Sequence, residues 1–173
     1  NWRKLEEHFG TDSEYLGFLR DSPSAAQRLC HILSNSRFLG DALNKSVESV
    51  TWLGSDNDLQ PRSRESLDVQ THASLERNAG SINDFANSIR AMRRHEIERI
   101  GLGWMSGVID DKASLAGMTD VYDAAIDASL TWAIRHQTQE MGLDEAPAAI
   151  AVIGMGRYGG REVNFSSDAD VII

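Results

Sequence analysis

Cysteine is almost absent: of 173 residues only Cys30 carries a thiol. One thiol excludes an intrachain disulfide and suits a reducing cytoplasm. Flanked by helical residues, Cys30 reads as a small core side chain. No apolar run reaches the length of a membrane span, and the first residues lack the pattern of a signal peptide. Positive charge is scarce, with 17 Lys and Arg against 26 Asp and Glu and a net charge of −9. Nucleic-acid binding needs the opposite balance, because cationic side chains must replace the counterions of the phosphates. The five histidines, His8, His31, His72, His95 and His136, lie too far apart to suggest a metal cluster. His95 and Glu98 do not form a His-Glu-x-x-His pattern, and no Ser-His-Asp arrangement can be assembled. Membrane insertion, disulfide scaffolding, histidine-based metal binding and broad nucleic-acid binding are thereby set aside.

What remains is 41% hydrophobic and 25% charged, enough for one good core with a second, incomplete unit. The chain starts at Asn and stops within an apolar run, so it reads as a piece of a longer polypeptide. Most of it carries helical patterning. Residues 1–20 form an amphipathic stretch with capping-box spacing at Thr11-Asp-Ser-Glu14. Ser22-Pro23 is an N-cap and N1 pair for a helix whose apolar face would hold Ala26, Leu29, Cys30 and Leu33. Ser34-Asn35-Ser36 breaks it, and Phe38, Leu39, Ala42 and Leu43 mark another short helix. Val47 to Leu53 is apolar, with Trp52 as its anchor into the core, and the turn-rich 54–61 follows. A helix with few apolar positions covers 62–78. Beyond a break at Asn78-Ala-Gly80, Ser81 caps a long helix with apolar residues at Ile82, Phe85, Ile89, Met92, Ile97, Ile100 and Trp104. Its other face would hold Arg90, Arg93, Arg94 and Arg99, as a solvated row paired with Glu96 and Glu98 or as a docking face for an acidic partner. Residues 110–117 read as a turn with a short helix, and a second long helix runs from Met118 to Met141, stopped by Gly142.

The last stretch, from Ala149, differs in kind. An apolar run, Ile150 to Ile153, enters a turn with Gly154, Gly156, Gly159 and Gly160. A polar connection then leads to Asp168, Asp170 and a second apolar run, Val171 to Ile173. Read as a strand, the second run puts Asp168 and Asp170 on one face, with Ala169 and Val171 toward the core. Two carboxylates that close repel unless a cation lies between them, and a hard divalent ion such as Mg²⁺ suits oxygen ligands. Glycines let a phosphate approach backbone N–H groups closely, and Arg157 and Arg161 are placed either to contact phosphate or simply to lie at the surface. Ser166 and Ser167 either contact the nucleotide or cap the turn. Gly154, Gly156 and Gly159 also satisfy Gly-x-Gly-x-x-Gly, but a dinucleotide fold requires a long helix next and an acidic residue about 20 positions on. Here the Asp-x-Asp arrives too soon.

Gly154-Met-Gly-Arg-Tyr-Gly-Gly-Arg-Glu-Val-Asn-Phe-Ser-Ser-Asp-Ala-Asp170 resembles the signature of the glutamine synthetase adenylyltransferases, bifunctional members of the polymerase-β-like nucleotidyltransferase superfamily. It departs from the commonest form at Tyr158, where the family usually has Leu or Cys, a change expected to alter packing only. Two upstream stretches, Ala26-Gln-Arg-Leu-Cys-His-Ile-Leu-Ser-Asn-Ser-Arg-Phe-Leu-Gly40 and Ile89-Arg-Ala-Met-Arg-Arg-His-Glu-Ile-Glu-Arg-Ile100, resemble more loosely the helical segment before a catalytic domain in this family.

The resemblance implies transfer of AMP from ATP to a tyrosine of glutamine synthetase. Asp168 and Asp170 would be catalytic and would hold two Mg²⁺ ions. Gly154, Gly156, Arg157, Gly159, Gly160, Ser166 and Ser167 would bind ATP. A third carboxylate on a later strand normally completes such a site, so the fragment alone is expected to be inactive. Leu59-Gln-Pro-Arg-Ser-Arg-Glu65 and the Asp-Ala-Asp form point to the second, adenylylating half of these two-halved enzymes. Glutamine synthetase, a PII-type signalling protein and glutamine are the implied partners. The expected architecture is mainly α: a helical bundle over 1–142, then the first two strands of a truncated nucleotidyltransferase α/β domain over 143–173. The rival readings are a non-catalytic helical module that docks glutamine synthetase or relays a signal, and a nucleotidyltransferase with another acceptor.

Overall fold

The structure, a computed structural model, describes residues 13–173. The capping box at Thr11 lies outside the described residues. Among the described residues six α-helices precede the glycine turn: α1 Ser13–Asp21, α2 Pro23–Asn35, α3 Arg37–Leu43, α4 Arg64–Arg77, α5 Ile82–Met105 and α6 Asp111–Glu140. A 3₁₀ helix, Val47–Gly54, lies between α3 and α4. The terminal segment contributes β1 Ile153–Gly154, a one-turn α7 Gly156–Gly159 and β2 Val171–Ile172. The chain is mainly α with two strands, as the patterning predicts. It divides into two compact units, one comprising residues up to Pro61 together with Glu98–Ser114, the other Arg62–Ile97 together with Leu115–Ile173.

In the first unit the short helices converge on Leu29, Ile32, Leu43, Leu53, Leu59 and Leu102, none of them exposed. The buried face of α2 is Ala25, Leu29 and Ile32, spaced as one helical stripe. That register turns Cys30 outward, and it is exposed rather than in the core. Ser36 ends α2 and caps α3, its hydroxyl accepting from the Leu39 N–H at 3.1 Å. Ser22 occupies the N-cap of α2 before Pro23, but its hydroxyl makes no capping bond. Of the apolar residues in the 3₁₀ helix, Val50 and Leu53 are fully buried. Trp52 packs against this core only partly buried, and the Arg99 guanidinium stacks 4.1 Å from its ring centre.

Arg99 therefore leaves the expected arginine row. It lies seven residues from Met92, on the same helical face, is buried, and donates to the Asp58 carbonyl. Glu96 is likewise buried and pairs with Arg62 at 3.2 Å. Glu98 is 5% exposed, and its Oε1 has no hydrogen-bond partner among the described residues. Burial pushes its carboxyl up to about 7. Arg90, Arg93 and Arg94 do face solvent, with Arg93 also lying over the Tyr122 ring. The apolar stripe of α5 ends short at both extremes, since Ile82 and Trp104 are exposed.

In the second unit Leu75, Phe85, Ile89, Ala128 and Trp132 form a core. The Phe85 and Trp132 rings stack with centres 5.9 Å apart, and the Trp132 indole N–H donates to the Asn78 carbonyl at 3.4 Å. The turn expected over 110–117 is instead the opening of α6, which makes α6 longer than α5. The Asp110 carboxylate accepts from the Ala113 N–H at 2.7 Å, an N-cap directly before a run of helix formers. Both long helices stop alike. Beyond α5, Gly107 N–H donates to Trp104 and Val108 N–H to Gly103; beyond α6, Gly142 donates to Gln139 and Leu143 to Thr138. This is the Schellman arrangement, with a left-handed glycine (φ +70° and +65°) after each helix.

Candidate functional site

β1 and β2 pair antiparallel, Ile153 opposite Ile172 and Gly154 opposite Val171. Two residues each is shorter than the apolar runs suggest. Ile150 is exposed and outside β1, and Asp168 and Asp170 precede β2 rather than lie in it. Val171 is 38% exposed and does not reach a closed core. It lines an open cavity of about 660 Å³ with Ala169 and Asp168, opposite Arg90, Arg93 and Tyr122.

The pairing continues one step into the turn, where the Met155 N–H donates to the Asp170 carbonyl at 2.8 Å. The next residue, Gly156, has φ +53°, and a methyl group added there would sit 3.6 Å from Asp170 Oδ2. Asp170 thus lies directly against the glycine turn. Gly154 and Gly159 serve a different purpose. A Cβ at Gly159 would fall 2.3 Å from the Gly154 carbonyl oxygen, so the two backbones touch where no side chain fits. Gly160 closes the one-turn helix, its N–H on the Gly156 carbonyl at 3.0 Å.

Ser167 caps the loop between the turn and the aspartates. Its hydroxyl accepts from the Asn164 N–H at 3.1 Å and bonds the Asn164 amide oxygen at 2.9 Å. Ser166 bonds that same oxygen through both N–H and hydroxyl. Both serines thus brace the loop through Asn164. Arg157 is exposed. Arg161 is committed to α6, reaching Asp120 at 2.5 Å and Asp123 at 3.3 Å, and the Asp120 bond raises its pKa further.

Sequence reasoning missed Tyr158 and Asp123. Tyr158 is 8% exposed, and its hydroxyl donates to Asp123 Oδ1 at 2.6 Å. Burial, followed by this bond, pushes the phenol pKa well above its ordinary value. Tyr158 thus makes a polar bond that an expectation of altered packing alone does not include. Asp123 also faces Arg64 at 3.5 Å, and Arg64 in turn holds Asp68 and Asp127, each at 2.7 Å. The signal was present as Asp120, Asp123 and Asp127 at helical spacing, but nothing in the pattern said what they meet.

Among the described residues no group of three or more His, Cys, Asp or Glu side chains is placed to hold a metal ion. Asp170 supplies a hard oxygen donor beside the glycine turn, and Asp168, two residues earlier, a second that lines the open cavity. That donor set fits Mg²⁺, which takes one or two protein carboxylates and completes its shell with substrate phosphates and water.

Residues 26–173 match the family model for glutamate-ammonia ligase adenylyltransferase. The chain belongs to that family. It is 76% identical over its whole length to a bifunctional glutamine synthetase adenylyltransferase/adenylyl-removing enzyme of Bifidobacterium longum strain DJO10A, of which it covers 16%. Proteins of the same description from Leifsonia xyli subsp. xyli and Mycobacterium tuberculosis strain CDC 1551 / Oshkosh are 38% and 36% identical over 99% of the chain, which covers 16% and 17% of them. The chain thus spans about one sixth of these relatives. The family match takes in the helices from α2 onward as well as the glycine turn and Asp168-Ala-Asp170, which agrees with the looser upstream resemblance. No helix among the described residues is long and apolar enough to cross a membrane.

Proposed function

We propose that residues 143–173 are the leading edge of a nucleotidyltransferase domain, and that the full-length protein uses it to move AMP between ATP and a tyrosine hydroxyl of glutamine synthetase. The observation that carries this reading is the contact between Asp170 and the glycine turn. The backbone bond from Met155 and the approach of Oδ2 to Gly156 make the acidic and phosphate-cradling halves one local unit.

Each group has a role in this reading. Gly156 opens a helical turn whose first N–H groups have no carbonyls behind them, so they are oriented to receive phosphate oxygens. Gly154 and Gly159 keep that turn thin enough for the triphosphate to reach the backbone. Arg157, exposed at the same turn, adds a charge-assisted donor for a phosphate oxygen. Asp168 and Asp170 are the residues that would hold Mg²⁺. Bound there, the ion supplies neutralisation of phosphate charge and a lowered pKa for a coordinated hydroxyl. Ser166 and Ser167 hold the connecting loop in shape, which sets the approach of the two aspartates. Fixing the α-phosphate and the acceptor hydroxyl in line is the larger part of catalysis for such a transfer.

Glutamine synthetase is the protein substrate in this reading, with a PII-type signalling protein and glutamine as effectors and the cytoplasm as the setting. Activity belongs to the full-length protein, because residues 1–173 hold two of the carboxylates such a centre uses. The test is Asp170→Asn in the full-length enzyme, assayed for both addition and removal of AMP. Loss of one direction by at least about 100-fold, the scale at which single groups stabilising a transition state act, is the expected result. Two unchanged rates would sink the assignment.

A further inference from the structure

The glycine turn is held from behind by a polar tether on α6. We propose that Asp123 is a positioning residue for nucleotide binding, acting through Tyr158 and Arg161; this rests on the reading of the turn given above.

Three observations converge. First, the one-turn helix α7 ends in the hydrogen-bond pattern that ends α5 and α6. Arg161 N–H donates to Tyr158 and Glu162 N–H to Arg157, at 3.1 and 2.7 Å. In the long helices the left-handed residue after the last turn is glycine, as is usual. Here it is Arg161, at φ +57°, the one non-glycine residue with positive φ among the described residues. A side chain in that conformation is unfavourable, so something must hold it there.

Second, what holds it is visible. The guanidinium spans Asp120 and Asp123 on adjacent turns of α6. Third, Asp123 gives its other oxygen to the buried Tyr158 hydroxyl at 2.6 Å, and Tyr158 lies at the centre of α7 with its ring against Gly154, 3.0 Å from where a Cβ there would be. One carboxylate, 23% exposed and braced by Arg64, thereby fixes both the middle and the end of the turn. Gly156 and the Asp170 contact lie at the start of that same turn. Loss of the tether leaves every proposed phosphate contact in place chemically but no longer oriented.

A tether that orients the turn for ATP predicts a selective kinetic effect. In the full-length enzyme, Tyr158→Phe and Asp123→Asn each raise the KM for Mg–ATP by about fivefold or more. The KM for glutamine synthetase stays within twofold. Combining the two gives no more than the larger single effect, because both remove one link. Arg161→Gly separates positioning from plain stability. Glycine suits the left-handed conformation, so the melting temperature holds or rises while the KM for ATP still increases. An unchanged KM for ATP in Tyr158→Phe and Arg161→Gly, or equal rises for both substrates, would overturn the tether. If Asp123→Asn does not fold, those two variants decide the matter alone. Asp170→Asn run alongside keeps the two proposals apart: its inactivity with normal Tyr158→Phe kinetics defeats only the tether, whereas full activity of Asp170→Asn defeats the nucleotide reading itself.

Discussion

Single side chains in this chain depart from their residue type's usual surroundings in ways that can be measured. Glu98 is a carboxylate in the core of the first unit with an oxygen left unpartnered, and burial raises its pKa from 4.5 to about 7. A carboxyl that binds its proton more tightly when folded favours the fold below pH 4.5, and that contribution is lost as pH rises through about 7. Glu98→Gln removes the charge and keeps the shape. The variant should melt higher than the parent at pH 8, by about 3 °C or more, and the difference should vanish once the pH is below the ordinary carboxyl value of 4.5; thermal melts across that range check it. Gly159 tests the opposite extreme, a place with no room. Gly159→Ala sets a methyl carbon 2.3 Å from the Gly154 carbonyl oxygen, so the turn must open. The expected outcome is loss of ATP-dependent activity in the full-length enzyme with the helical circular-dichroism signal intact. Neither environment was legible in the sequence, because burial of Glu98 and contact between two glycine backbones arise only when distant segments meet.

Among the elements, legibility followed local chemistry. Breaks written by Ser36 and Gly142 fall where a capping bond and a left-handed φ value require them. Asp110 was equally informative as a cap, but Gly117 invited a reading of a turn; in α6 that glycine is simply buried within the helix. Register was harder. Placing Cys30 in the stripe of α2 instead of Ala25 is a rotation of one position, and short helices with small residues on several faces leave that rotation open until a partner surface is known. The 3₁₀ helix shows the same limit: Trp52 is the larger apolar group, yet Val50 and Leu53 are the buried ones. Leu53→Ala should therefore cost about 2–5 kcal/mol, read from urea unfolding of the chain. The glycine turn and its aspartates were recognisable because a dense local pattern specified them. Their tether was not, since Tyr158 and Asp123 are far apart in the chain.

At the scale of the molecule, order is unevenly distributed. Buried side chains among the described residues belong overwhelmingly to the helices, whereas residues 141–151 are all exposed and the two strands pair over two residues each. Two-stranded ladders this short are marginal in water. Hydrogen exchange on the chain should show amides of α5 and α6 protected at least about 100-fold more than those of β1 and β2, in keeping with the span between local and global opening. Equal protection would mean that the ladder draws stability from elsewhere.

The cores also set a timetable for synthesis. The cluster around Leu29, Leu43 and Leu59 includes Leu102, and Leu75 and Phe85 share theirs with Trp132. A ribosome delivers these partners late. The first cluster stays open while α4 and most of α5 emerge, and the second stays open until most of α6 has followed. Tyr158 meets Asp123 later still, so the glycine turn is anchored only after the helix that receives it is complete. For the length of that interval the nascent chain exposes leucines it will later bury, and a chaperone has its opportunity there rather than at the finished surface.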